Sequence, residues 1–170
     1  QGEGGGSGGD CPEPTGGEFI QNGDFETGDD CGWTLGGEPG NFSVTSAQAN
    51  GGTFSAYLQA DVDNLGGGGA SFYTIKAANM GVGDFVAGEA VTVSFDIFGS
   101  LEGAGGVVFV ELFSEFDGGG ATNEILGGGP IFPTGTWTNY TFNTTLGADV
   151  DGGVSVQLKV DCGANAGCVV

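Results

Sequence analysis

The sequence predicts an all-β protein, a two-layer antiparallel β-sandwich of the jelly-roll type with a Gly-rich N-terminal arm. Three observations carry that expectation. Glycine supplies 39 and phenylalanine 13 of the 170 residues, a composition suited to short strands joined by tight turns. Apolar and polar residues alternate over several stretches, which is the period of a half-buried strand. Nowhere does an apolar stripe at helical spacing run for three turns. A chain of this length makes one domain with a real core.

Residues 1–17 (QGEGGGSGGDCPEPTGG) form the low-complexity arm, and residues 18–170 the sandwich. The first strand is expected over Phe19–Phe25, with Asn22-Gly23 turning the backbone. Phe42–Ala49 and Phe54–Asp61 read as strands joined around Asn50-Gly51, a hairpin signal. In the latter, Phe54, Ala56, Leu58 and Ala60 share one face and Ser55, Tyr57, Gln59 and Asp61 the other. A loop at Gly66–Gly69 precedes a strand at Ala70–Ala77. Val91, Val93, Phe95 and Ile97 then alternate with Thr92, Ser94, Asp96 and Phe98. Val107–Phe116 is apolar on both parities, interrupted by Glu111. Thr136–Thr145 embeds Tyr140 and Phe142, and Val154, Val156, Leu158 and Val160 face inward against Ser155, Gln157, Lys159 and Asp161. Strands at this spacing make a sandwich.

The charge balance is 2 Lys+Arg against 22 Asp+Glu, a net −20, with no histidine. Nucleic acid is excluded as a partner, because nothing neutralises phosphates. Such self-repulsion is relieved by cations or salt, or is simply a soluble acidic surface. No apolar run approaches the length of a membrane span. The four cysteines allow three pairings; Cys11–Cys31 and Cys162–Cys168 are preferred because each pair is near in sequence. Zinc is disfavoured without histidine or a Cys-x2-Cys pair. Two disulfides imply an oxidising, extracellular or cell-surface setting, and a chain starting at Gln1 suits a secreted protein whose leader has been removed.

Without histidine, Ser-His and Cys-His nucleophilic pairs are excluded. Glu111 with Glu115, or Asp96, are the only strand carboxylates worth naming for glycoside cleavage, and nothing aligns them; the expectation is no enzyme. Asp24, Glu26, Asp29 and Asp30 crowd the Asn22-Gly23 turn, where they cap the turn or offer oxygens to a hard cation. Tyr57, Gln59, Asp96, Phe98, Glu111, Gln157 and Lys159 lie on the non-core parity of successive strands. They form a possible glycan-binding face, since aromatic rings stack on sugars and polar groups fix hydroxyls. Lys76 and Lys159 also serve simply to relieve local negative charge. Asn41, Asn139 and Asn143 each open an Asn-x-Ser/Thr sequon, a possible N-glycosylation site.

The segments NGDFETGDDCGW, VTVSFDIFGS, TWTNYTFNTTL and GVSVQLKVDCGANAGCVV, in that order, resemble carbohydrate-binding modules of the galactose-binding-like jelly-roll superfamily over residues 18–170. The resemblance implies a structural Ca2+ near the first-strand turn, matched best by Asp24 and Glu26, and core positions for Trp33 and Trp137. It also implies a last strand that continues beyond Cys168-Val169-Val170 beside the first strand. The sequence stops there, which leaves a sheet edge bare and open to another chain. Arm and edge together favour a non-enzymatic structural subunit of an extracellular filament or surface assembly, a homo-polymer linked by strand exchange. The alternative is a carbohydrate-binding module holding a polysaccharide on one sheet face.

Overall fold

The computed structural model describes residues 11–38, 40–60, 71–99, 107–162 and 168–169. Ten strands run through them: β1 Thr34–Glu38, β2 Gly40–Thr45, β3 Ser55–Ala60, β4 Ser71–Met80, β5 Ala90–Ile97, β6 Val107–Glu115, β7 Ala121–Ile125, β8 Thr138–Thr145, β9 Val154–Cys162 and β10 Cys168–Val169. A 3-10 turn, Leu126–Gly128, buries Leu126 beneath the sheets.

One layer is a five-stranded antiparallel sheet in the order β1-β4-β9-β6-β7; the other comprises β10-β3-β2 and the antiparallel pair β5-β8. Strand periodicity sets which residues meet between the layers. Val108, Val110 and Leu112 of β6, Val156 and Val160 of β9 and Ile75 of β4 point inward and pack in one cluster with Leu58 of β3 and Val93 and Ile97 of β5. Each such side chain, fully buried, contributes about 1.5–3 kcal/mol from water exclusion. Phe95, Tyr140 and Phe142 extend the cluster with ring centroids 5.9–6.3 Å apart, Tyr140 stacked on both phenylalanines. The sandwich expected from the sequence is the fold observed.

Several elements differ. Phe19–Phe25 is not a strand but a run of turns. Asn22 and Phe25 take φ of 49° and 59°, left-handed values outside the extended region that a regular strand repeats. The first strand among the described residues is instead β1, whose Gly36-Gly37 hides the period-2 signal. Gly37 has φ 91°, and a Cβ there would collide with the Phe72 carbonyl of β4. Only glycine permits that approach. β7 was also missed, because all five of its residues are exposed. β2 ends at Thr45, so Ser46–Ala49 belongs to the turn before β3.

Of the expected arm, residues 1–10 lie outside the described residues. Cys11 is disulfide-bonded to Cys31, as the spacing suggested. The side chains of Cys162 and Cys168 lie outside the described residues, and so does the loop expected at Gly66–Gly69. The last strand pairs with β3, Cys168 opposite Ala60 and Val169 opposite Gln59, rather than beside a first strand at Phe19–Phe25. β10 is thus taken up by its own chain.

Candidate functional site

The turn at Asn22 is held by side chains. Asn22, 6% exposed, donates from Nδ2 to the Asp29 and Cys31 carbonyls and accepts the Thr27 N–H. Its own carbonyl accepts Trp33 Nε1–H at 3.1 Å, and the indole stacks on Phe25, which places Trp33 against the core. Asp24 Oδ1 accepts the Glu26 N–H at 3.2 Å, and Asp29 Oδ1 accepts Thr27 Oγ1–H and the Cys31 N–H. Glu26 Oε1 accepts two backbone N–H groups, from Thr53 and Phe54, each at 2.8 Å. Among the described residues no three His, Cys, Asp or Glu side chains converge as metal ligands, whereas Ca2+ takes six to eight oxygens. Glu26 Oε1, facing two N–H donors, clamps the turn to the backbone at the entrance to β3.

The residues expected on one glycan face are divided between the two layers. Glu111, Gln157 and Lys159 project from the open face of the five-stranded sheet. Tyr57, Gln59 and Phe98 lie on the other layer. Asp96 is on β5, where Oδ1 accepts from Asn139 Nδ2 at 3.0 Å. Glu111 and Asp96 are therefore not brought together. Glu111 and Glu115 stand four residues apart on one strand, roughly 13 Å at the usual strand rise. Glycosidase carboxyls need about 5–9.5 Å.

The open face of the five-stranded sheet is ordered by register. Lys76 of β4 lies opposite Gln157 of β9, and Gln157 opposite Glu111 of β6, a polar row across three strands. Gln157 Nε2 donates to Glu111 Oε2 at 2.6 Å. Phe109 and Phe113 flank Glu111 on the same face of β6, and Phe72 is 40% exposed on β4. The chain's two cations both stand here. Lys76 Nζ lies 4.5 Å from the Phe113 centroid, and Lys159 Nζ 4.9 Å from that of Phe72 and 5.8 Å from that of Phe109, cation–π distances that fix the side chains without discharging them. Each also has a carboxylate: Glu115 for Lys76 and Asp161 for Lys159. Burial pushes the Glu115 carboxyl up, but the Ser155 hydroxyl and the Lys76 ammonium outweigh it, so its pKa lies below the ordinary value. Glu115 is thus held ionised, unlike a general acid. Phe72, Phe109 and Phe113 were not singled out from the sequence, and Lys76 was read there only as relieving local negative charge. The available signal was the apolar character of β6 on both parities.

Trp137, expected in the core, is half-buried on the outside of the other layer, tilted against Phe98 at 5.7 Å. It lies just before β8, outside the alternation that directs Tyr140 and Phe142 inward. Asn139 and Asn143 share the exposed face of β8, and Asn41 is exposed on β2.

A family profile described as a carbohydrate binding domain matches residues 17–163. The chain belongs to this family of carbohydrate-binding domains. No curated protein matches the sequence significantly. Among solved structures, the CBM22-1 xylan-binding domain of Paenibacillus barcinonensis Xyn10C is similar at 16% identity and TM-score 0.59, over 86% of this chain and 85% of that one. The C-terminal family 22 carbohydrate-binding module of Clostridium thermocellum Xyn10B aligns at 17% identity and TM-score 0.57, over 92% of each. TmCBM61, determined with β-1,4-galactotriose, aligns at 19% and 0.52, over 89% of this chain and 92% of that one. At these identities the likeness establishes the fold alone.

These findings overturn the expected filament subunit. The family match, over residues 17–163, runs from before β1 through β9 and is to a binding domain. The short last strand that suggested strand exchange is paired within the chain. Self-association through edge and arm has no remaining support.

Proposed function

We propose that this domain binds a neutral polysaccharide, without cleaving it, along the open face of the five-stranded sheet. One observation carries the reading: the Lys76–Gln157–Glu111 row crosses β4, β9 and β6 between phenylalanine rings on the same face. Aromatic surface takes the C–H faces of sugar rings, and the fixed amide, carboxylate and ammonium groups take hydroxyls. The two cations are already paired with acids, and the chain carries net −20, so an acidic polymer is repelled and a neutral one is not. The relatives named above support the class, one being described as xylan-binding and another complexed with a β-1,4-galactan fragment. The Cys11–Cys31 disulfide suits work outside the cytosol.

Calorimetric titration with soluble xylan, mixed-linkage glucan and galactan tests this. Saturable binding to at least one is expected, weakened about threefold to tenfold by Phe109→Ala, the worth of one ring contact. Binding that survives Phe109→Ala and Gln157→Ala unchanged, or binding to none of the three, would overturn it.

A further inference from the structure

On the opposite layer a groove of about 400 Å³ runs between the outer face of β2 and β3 and the Phe98–Trp137 ring pair. It is formed by strand parity. Tyr57 of β3 stands opposite Ser43 of β2, both pointing away from the core, and Trp137 closes the far side. Its volume lies within the range of small-ligand sites. Its chemistry is unlike the rest of the surface: among the described residues, none that lines it is acidic or basic, in a chain with 22 acids and 2 bases. Three aromatic rings are combined there with serine and threonine hydroxyls and the Gln48 amide. Tyr57 Oη donates to Gln59 Oε1 at 3.2 Å, which orients the phenol and leaves its oxygen lone pairs to accept.

We propose that this groove is a second saccharide site, taking a short segment of a neutral glycan on Tyr57 and Trp137. A charged ligand finds no counter-charge there, and a purely apolar one leaves the hydroxyls and amide without partners when it excludes water. A sugar supplies both an apolar ring face and hydroxyls for those groups. The inference stands on the groove's own lining and not on the five-stranded face. Two sites on opposite sides of one sandwich hold two glycan segments at once.

The test uses xylohexaose, cellohexaose and galactotetraose as probes. Because the chain has two tryptophans, Trp33→Phe leaves Trp137 as the sole indole reporter. A saturable change in its emission is expected with at least one probe, reduced tenfold or more in apparent affinity by Tyr57→Ala and unaffected by Phe109→Ala. Calorimetry on the otherwise unaltered chain gives a second readout should Trp33→Phe fail to fold: two sites per chain, of which Tyr57→Ala removes one. A single site removed by Tyr57→Ala but not by Phe109→Ala supports the groove and sinks the five-stranded face. A single site removed only by Phe109→Ala, or steady Trp137 emission with all three sugars, overturns the proposal. So does a groove that takes an apolar dye and no sugar.

Discussion

Lys76 Nζ and Glu115 Oε1 lie 2.9 Å apart across the open sheet face, and the same oxygen accepts the Ser155 hydroxyl at 2.6 Å. Lys76 is on β4 and Glu115 on β6, so the ion pair bridges over β9, which runs between them. Ser155 Oγ in turn accepts the Asn79 N–H at 2.9 Å. That donor is available because the β4–β9 register shifts between Ala77 and Met80. One carboxylate therefore ties together three strands and a bulge. Glu115→Gln is expected to cost about 1–3 kcal/mol, the penalty for spoiling a charge-assisted network that is largely shielded from water. The urea midpoint at pH 7 measures it.

The same pair sets a pH dependence. Glu115 titrates below its ordinary value in the folded protein, so the unfolded chain binds the proton first as pH falls. The stabilisation is whole above the unfolded carboxylate's pKa and is lost as pH drops through the lowered, folded one. The unaltered protein should therefore lose more stability between pH 7 and about pH 3 than Glu115→Gln does. Equal losses in parallel urea titrations would show that this carboxylate is not coupled to folding.

Glu26 makes a second, separable claim. Its Oε1 receives the N–H groups of Thr53 and Phe54 at the entrance to β3, fastening the Asn22 turn to a hairpin distant in sequence. Glu26→Ala should lower stability by about 1 kcal/mol or somewhat more, given two partly solvated bonds to a charged acceptor. The loss should be the same in EGTA and in millimolar Ca2+. Gly52→Ala should reproduce it, since its Cβ would collide with Glu26 Oε1 and push the carboxylate off its two donors. A melting temperature that rises steeply with Ca2+ and collapses on chelation would mean that the turn is built around the ion.

How much of this was readable beforehand depended on what each residue reveals locally. Val91–Ile97 and Val154–Val160 alternate because one side is core, so β5 and β9 were legible. Phe19, Ile20 and Phe25 look like strand residues by composition, but the left-handed φ of Asn22 and Phe25 is set by side-chain bonds reaching to Cys31 and Trp33. Parity correctly separated Glu111, Gln157 and Lys159 from the core. It did not tell which sheet each strand joins, because jelly-roll order is fixed by distant pairings such as β9 with both β4 and β6. Tyr57 and Phe98 were therefore assigned to a face they do not share. Trp137 was misplaced because the resemblance puts a core residue there, whereas its position before β8 turns it outward.

A neutral ligand predicts indifference to salt. The cations on the sheet face are compensated by Glu115 and Asp161, and a neutral glycan brings no charge to be screened. Affinity should change less than about twofold between 50 mM and 500 mM NaCl, a range over which the Debye length shrinks well below the size of the site. Polygalacturonate should not bind at the lower salt. Affinity that falls tenfold across that range would identify an acidic glycan as the true ligand.

Asn22 carries the largest expected effect of any single side chain in the N-terminal turn. It combines burial, three side-chain hydrogen bonds and a left-handed backbone. Asn22→Gly keeps the backbone comfortable but removes the bonds, whereas Asn22→Ala removes the bonds and strains the backbone as well. The alanine variant should therefore be the less stable of the two by about 1 kcal/mol, and both should fall about 2–4 kcal/mol below the parent, from two carbonyls and one N–H left unpaired. Asn22→Asp tests the donors alone: it keeps the acceptor for the Thr27 N–H but turns a carboxylate toward the Asp29 and Cys31 carbonyls. Its stability should improve relative to the parent as the pH is lowered and the carboxyl gains a proton to donate. Trp33, bonded to the Asn22 carbonyl, reports the outcome through its fluorescence in urea titrations at pH 7 and pH 4. An aspartate variant whose deficit is unchanged by pH would place the Nδ2 donors outside the folding energetics.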